Sequence, residues 1–265
     1  MSKKKNKLKK PNHKPVRIGG HGFRDNYGNI HYADELIFPI IYHNEKTEKF
    51  YARGTGYFIH PAGGFITAKH VLFDNGKLLK PCFGIQSFKG GEHLLREIVA
   101  FFPHDSADIG VGMLKGHLMK NAQPHFVASF PISLSKPQIG DKIRTYAFPK
   151  SEVQVEYGKQ LGIFKGTWST GKIRQLIRAG EHHLLKTDVY ETSMHIEGGA
   201  SGGPVLRGTS VIGVNSTGWE FGEGFEPSSC ITPIHEILDL EVSDSNDKKS
   251  TLRQLIHEGF VAAVE

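Results

Sequence analysis

Ser201 sits in the run Gly198-Gly199-Ala200-Ser201-Gly202-Gly203-Pro204-Val205, with the apolar pair Val205-Leu206 closing it. Glycines reach backbone conformations that other residues resist, so their N–H groups can turn toward a shared point. A hydroxyl beside two such N–H groups supplies what acyl transfer needs, a nucleophile and an oxyanion site. A serine hydroxyl is barely nucleophilic at neutral pH without a base. The chain offers His70, after Gly64-Phe65-Ile66-Thr67-Ala68-Lys69, and Asp108, which opens the apolar run Asp108-Ile109-Gly110-Val111. His70, Asp108, Ser201 is one of the chain orders in which a base, an orienting carboxylate and a nucleophile form a triad. Asp105 competes with Asp108, but it lies in the polar loop Pro103-His104-Asp105-Ser106, whereas Asp108 begins a strand-like run.

The elements that must position these residues read as short strands. Seventeen Phe and eight Tyr accompany frequent glycine and brief apolar runs at 36–42, 58–59, 65–72, 98–102 and 109–114, a pattern of β structure. No helical stripe of useful length precedes about residue 172. An all-β double barrel fits, and no internal repeat is visible. The expected organisation is a disordered basic tail over 1–25, a β-barrel lobe over 26–125 holding His70 and Asp108, a second over 126–240 holding Ser201 and a pocket, and a polar linker and short C-terminal helix over 241–265. The segment 124–140 would link the lobes, leaving a cleft between them. A strand–turn–helix elbow around Gly199–Gly203, with Asp239 and His257 as later partners, is the rival scaffold. Gly202-Gly203-Pro204 opposes a helix after Ser201, and 205–206 with 211–214 read as a hairpin.

Thr67-Ala68-Lys69-His70, Asp108-Ile109-Gly110-Val111 and Gly199-Ala200-Ser201-Gly202-Gly203-Pro204, in this order, resemble the trypsin/chymotrypsin-like serine proteases. The resemblance spans roughly residues 35–240 and is greatest to the disulfide-poor bacterial and intracellular branches. It implies two six-stranded antiparallel β-barrels and a serine endopeptidase with protein or peptide substrates. Ser201 would be the nucleophile, His70 the general base and Asp108 its orienting group, with the N–H groups of Gly199 and Ser201 as oxyanion donors. Gly213-Val214-Asn215-Ser216-Thr217-Gly218 is similar to the strand that lines the primary pocket and pairs with substrate backbone, and Ser216 matches the family serine near the aspartate. The run 227–231, with Ser228, resembles the opposite pocket wall. His195 would stand at the pocket base with Ile196 beside it. No aspartate lies there, which argues against a Lys or Arg preference. Protonated His195 would favour an acidic side chain; a structural imidazole in an apolar pocket is the alternative. Asn215 stands where the acid-selective members carry a histidine. Ala200 replaces the aspartate that pairs with the new N-terminus in trypsin, so control would need another device: an activating partner, a ligand or oligomerisation.

Residues 1–17 carry eight Lys or Arg and no acid, so removing them from the net charge of +6 leaves −2 on the remainder. Such a run predicts a solvated tail, and its functional reading is attachment to nucleic acid or another anionic partner. It has no apolar segment of a secretory signal, and no stretch of about twenty apolar residues suggests a membrane span. Cys82 and Cys230 are the only cysteines, which points to a reducing, cytoplasmic setting and to buried thiols rather than a bridge. Fifteen histidines show no helical His-Glu-x-x-His pattern, and the adjacent His182 and His183 would face opposite ways on a strand. No metal and no nucleotide cofactor are expected. A binding protein on the same scaffold, catalytically latent or inactive, is the alternative function. A nucleic-acid module is a weaker one, because the body lacks a basic stripe interleaved with aromatics.

Overall fold

The computed structural model describes residues 18–19, 22–24, 30–88, 92–117, 127–156, 159–181, 185–219, 228–244 and 246–265. The tail 1–17, Pro227 and the His182-His183 pair lie outside the described residues. Six strands form the first barrel: β1 (Ile37–Asn44), β2 (Lys49–Phe58), β3 (Gly64–Thr67), β4 (Cys82–Ser87), β5 (His93–Pro103) and β6 (Gly110–Leu114). Their antiparallel pairings close in the order β1-β2-β3-β6-β5-β4 and back to β1. The second barrel comprises β7 (Lys142–Ala147), β8 (Thr167–Ile177), β9 (Val189–Thr192), β10 (Pro204–Arg207), β11 (Ser210–Trp219) and β12 (Ser228–Pro233). It closes as β7-β8-β9-β12-β11-β10 and back to β7, all antiparallel. The two barrels therefore share one strand order, although no sequence repeat is visible between them.

Alternation explains individual strands. In β4, Cys82, Gly84 and Gln86 turn inward while Phe83, Ile85 and Ser87 are half-buried, the period of two that a strand with one core face requires. β7 repeats this with Ile143, Thr145 and Ala147 buried. Each barrel encloses its own apolar core, Phe38, Phe58 and Phe65 among others in the first and Ile143, Ile212 and Ile231 in the second. A third cluster binds the lobes together: Tyr57, Ile66 and Ile109 from the first barrel meet Phe148, Leu206 and Val214 from the second. Closure by backbone pairing removes sheet edges. The Ile132–Ser133 strand runs parallel to β11 and to the Ala263–Val264 strand, which draws the C-terminal segment onto the second barrel.

The described residues include three short α-helices: α1 (Ala33–Leu36), α2 (Lys69–Leu72) and α3 (Leu252–His257). α3 is the expected C-terminal helix, opened by a capping box in which Thr251 accepts the Gln254 N–H. Ile234–Ile237 forms a single 3-10 turn. None of the described helices is long and apolar enough to cross a membrane. Cys82 and Cys230 are free and buried, and burial pushes each thiol up to about 12.

Candidate active site

β3 ends at Thr67, and Ala68, in extended backbone, leads into α2, which carries His70. Two cationic side chains anchor this turn. Arg53, on β2, donates from Nε to Val71 O and from Nη2 to His70 O, each at 3.3 Å. Lys69 Nζ donates to His104 O at 2.8 Å and to Asp105 O at 3.0 Å, in the loop that precedes Asp108. His104 Nδ1 accepts the N–H groups of Ser106 and Ala107 at 3.2 and 2.8 Å. The loop presenting Asp108 is thus tied to the helix presenting His70.

Asp108 gathers three hydrogen bonds. Its Oδ1 accepts the His70 N–H at 2.9 Å, and its Oδ2 lies 2.7 Å from His70 Nδ1 and accepts the Ser216 hydroxyl at 2.6 Å. An ionised carboxylate only accepts, so the proton of a neutral His70 sits on Nδ1 and leaves Nε2 free as a base. Burial alone would push the Asp108 carboxyl up. The His70 hydrogen bond and charge, the Ser216 hydroxyl and the His70 N–H outweigh it and hold the group below the ordinary carboxylate value. Ser201 Oγ donates to Ser216 O at 3.3 Å, and among the described residues no hydrogen bond joins it to His70. Such nucleophile–base contacts often tighten only with the reacting group in place.

The turn that presents Ser201 is built on left-handed glycines, Gly199 at φ +92° and Gly202 at φ +85°. A Cβ at Gly199 would stand 2.6 Å from Phe148 O, and one at Gly202 would collide with Thr55 O and Thr67 Oγ1. Four consecutive carbonyls of the turn are held. Gly198 O accepts the Lys150 N–H at 2.9 Å, and Gly199 O accepts the Thr55 hydroxyl at 2.9 Å. Ala200 O accepts the Gly203 N–H at 3.1 Å and Asn215 Nδ2 at 3.2 Å. Ser201 O accepts the Thr55 N–H at 2.8 Å. The N–H groups of Gly199 and Ser201 have no acceptor among the described residues. Two uncommitted donors beside a serine hydroxyl are what an oxyanion requires.

The residues read as pocket occupy mixed positions. His195 is exposed, 3.9 Å from Glu197, which also pairs with Lys150 Nζ at 2.9 Å. The Ile196 N–H donates to Ser229 Oγ at 3.0 Å, bringing this loop against β12. His195, Ile196 and Glu197 line a cavity of about 220 Å³ together with Ala147, Thr167 and Ser169 of β7 and β8. Thr217 and Gly218 of β11 lie in register with Cys230 and Ser229 of β12, and Ser228 pairs with Trp219. Asn215 is fully buried, its amide directed to Thr145 Oγ1 at 2.8 Å and to Ala200 O. It lies beneath the nucleophile turn rather than on an open wall. Thr55 has no role in the sequence analysis; the signal for it was a β-branched hydroxyl between Gly54 and Gly56. Among the described residues no group of three His, Cys, Asp or Glu is placed to hold a metal.

Solved structures share the fold. The chain is similar to the active form of the Rv3671c protease from M. tuberculosis, with a TM-score of 0.53, 17% identity and coverage of 88% of this chain and 84% of that one. It is similar to the HtrA-type protease AlgW with a decapeptide, with a TM-score of 0.54, 15% identity and coverage of 85% and 65%. A serine variant of AlgW with a tripeptide gives a TM-score of 0.54, 16% identity and coverage of 77% and 57%. The chain thus spans less than two thirds of the length of either AlgW chain. No curated protein matches. The model of the trypsin-like peptidase domain matches residues 54–214, more than half of the chain, and on that match the chain belongs to the trypsin-like peptidase domain family.

Proposed function

We propose that this chain is a serine endopeptidase that hydrolyses peptide bonds through an acyl-enzyme. Ser201 attacks the scissile carbonyl while His70 Nε2 takes its proton, and His70 later protonates the leaving amine. Asp108 holds the imidazole tautomer and stabilises the imidazolium. The N–H groups of Gly199 and Ser201 receive the oxyanion, where loss of one donor costs about 3 kcal/mol of transition-state stabilisation. The observation that carries this reading is the Asp108 carboxylate shared between His70 Nδ1 at 2.7 Å and Ser216 Oγ at 2.6 Å, with Ser216 O also accepting from Ser201. Peptide-bound AlgW supports peptides as the ligand class. The free, buried Cys82 and Cys230 support a reducing, intracellular setting. Ala200 before the nucleophile offers no carboxylate to a new N-terminus, so control would fall to an activating partner, a ligand or oligomerisation. The basic tail 1–17 is the segment suited to an anionic partner or nucleic acid.

The bond from Ser201 Oγ to Ser216 O, in place of one to His70, favours a second reading: a latent or inactive protease-fold protein that binds peptides. Labelling by a fluorophosphonate probe separates the two. The enzyme reading expects labelling of the wild type that disappears in both Ser201→Ala and His70→Ala. A well-folded wild type that takes no label, alone or with a candidate activator, supports the latent protein.

A further inference from the structure

Two side chains outside the proposed triad reach the nucleophile turn, one from each barrel. Thr55, on β2, is fully buried. Its hydroxyl donates to Gly199 O at 2.9 Å and accepts the Phe148 N–H at 3.2 Å, while its own N–H donates to Ser201 O at 2.8 Å. Thr55 O in turn accepts the Thr67 hydroxyl at 2.7 Å, which ties it to the end of β3. Asn215, on β11, is equally buried and donates from Nδ2 to Ala200 O at 3.2 Å and to Thr145 Oγ1 at 2.8 Å. Its Oδ1 has no partner, so the donor end of this amide defines its contact with the turn.

A peptide unit is planar, so fixing the direction of its C=O also fixes the N–H at its other end. Ala200 O belongs to the same unit as the Ser201 N–H, and Asn215 therefore aims that donor. Gly199 O belongs to the unit lying between the two candidate donor units, and Thr55 holds it. We infer that Thr55 and Asn215 are positioning residues, which together set the direction of the oxyanion N–H donors and make that direction depend on the alignment of the two barrels. This rests on the serine peptidase reading above and adds a role that neither residue has there.

The test measures the second-order rate of phosphonylation of Ser201 by the fluorophosphonate probe, with melting temperatures and crystal structures of the same full-length variants. Thr55→Val keeps the volume and loses the hydroxyl, Thr55→Ser restores it, and Asn215→Ala removes the amide. Expected are rates lowered about 10- to 100-fold in Thr55→Val and Asn215→Ala, with Thr55→Ser within about three-fold of wild type. The Gly199–Ala200 or Ala200–Ser201 peptide should be rotated in the slow variants. A merely structural role would lower the melting temperature and leave the folded protein's rate and turn unchanged, which overturns the inference. Should Thr55→Val fail to fold, Asn215→Ala and Thr55→Ser still decide. Should the wild type take no label, alone or with a candidate activator, the peptidase reading falls, and the crystal comparison alone decides: a rotated peptide upholds the positioning role and an unmoved one overturns it.

Discussion

Ser216 Oγ lies 2.6 Å from Asp108 Oδ2, a hydroxyl of the second barrel on a carboxylate of the first. The carbonyl of the same residue accepts the Ser201 hydroxyl. One residue of β11 therefore touches both ends of the proposed triad across the cleft. Thr55 makes the reciprocal link, from the first barrel to the turn of the second. The apolar cluster between the lobes, with Tyr57 against Phe130 and Leu206 and Val214 close by, holds these polar contacts in register.

Ser216→Ala removes a hydrogen bond to an ionised group, worth about 1.5–3 kcal/mol. Phosphonylation of Ser201 is expected to slow by about ten-fold, because His70 Nδ1 keeps its bond to Asp108 and only the brace on the carboxylate is lost. A rate equal to wild type would mean that the brace is dispensable.

Asp108→Asn should lower the labelling rate by about 10⁴-fold, since an amide at this position no longer selects the tautomer with Nε2 free. The stability effect has a definite sign. The folded carboxyl sits below its ordinary 3.8, so its contribution is complete above that value and is lost as pH falls through the lower folded value. Melting temperatures from pH 6 downward should therefore show Asp108→Asn below wild type at pH 6, with the gap closing in acid. A constant gap would contradict this.

Gly199→Ala tests the turn directly. The backbone there is at φ +92° and the added Cβ would stand 2.6 Å from Phe148 O. An L-residue in left-handed backbone costs roughly 1–2 kcal/mol, and the 198–199 peptide must move to relieve the contact. The expected labelling rate is about 10²- to 10³-fold below wild type, as for loss of one oxyanion donor. Normal labelling by a folded variant would remove the Gly199 N–H from the proposed mechanism.

His70, Asp108 and Ser201 stood out in the sequence by their chain order and flanking runs, and the structure brings His70 and Asp108 to 2.7 Å of each other while Ser201 bonds to Ser216 O. The β structure was legible from brief apolar runs, of which 36–42 and 109–114 fall largely on β1 and β6. The repeated strand order was not, because the two cores share only apolarity: Phe38, Phe58 and Phe65 fill one, Ile143, Ile212 and Ile231 the other. Thr55 and Asn215 were under-read for a different reason. Their partners are backbone carbonyls 144 and 15 residues away, and a carbonyl leaves no trace in residue type. Asn215, read as a pocket group from its place in β11, turns its amide beneath the turn because the register of β11 with β10 puts its neighbour Val214 opposite Pro204.

His235 supplies a pH-dependent stability of known sign. It lies in the 3-10 turn Ile234–Ile237, with Nε2 3.6 Å from Glu236 Oε1 and a buried Nδ1 that has no partner. Burial, with the charge of Lys136, lowers its affinity for a proton, and Asp188 opposes this only in part. The folded chain thus binds that proton more weakly than the unfolded chain. The contribution is complete above the ordinary 6.5 and declines as pH falls through it, until the lower folded value is reached. Glu236 acts with the opposite sign, because burial raises its carboxyl above the ordinary 4.5; its influence grows nearer that value. Melting curves between about pH 7.5 and 6 cover the range in which a histidine titrates and Glu236 contributes least. Wild type should lose stability across this window, and His235→Gln, which cannot take up the proton, should show a flatter profile. An unchanged slope in His235→Gln would assign the pH dependence to another group and remove His235 as its source.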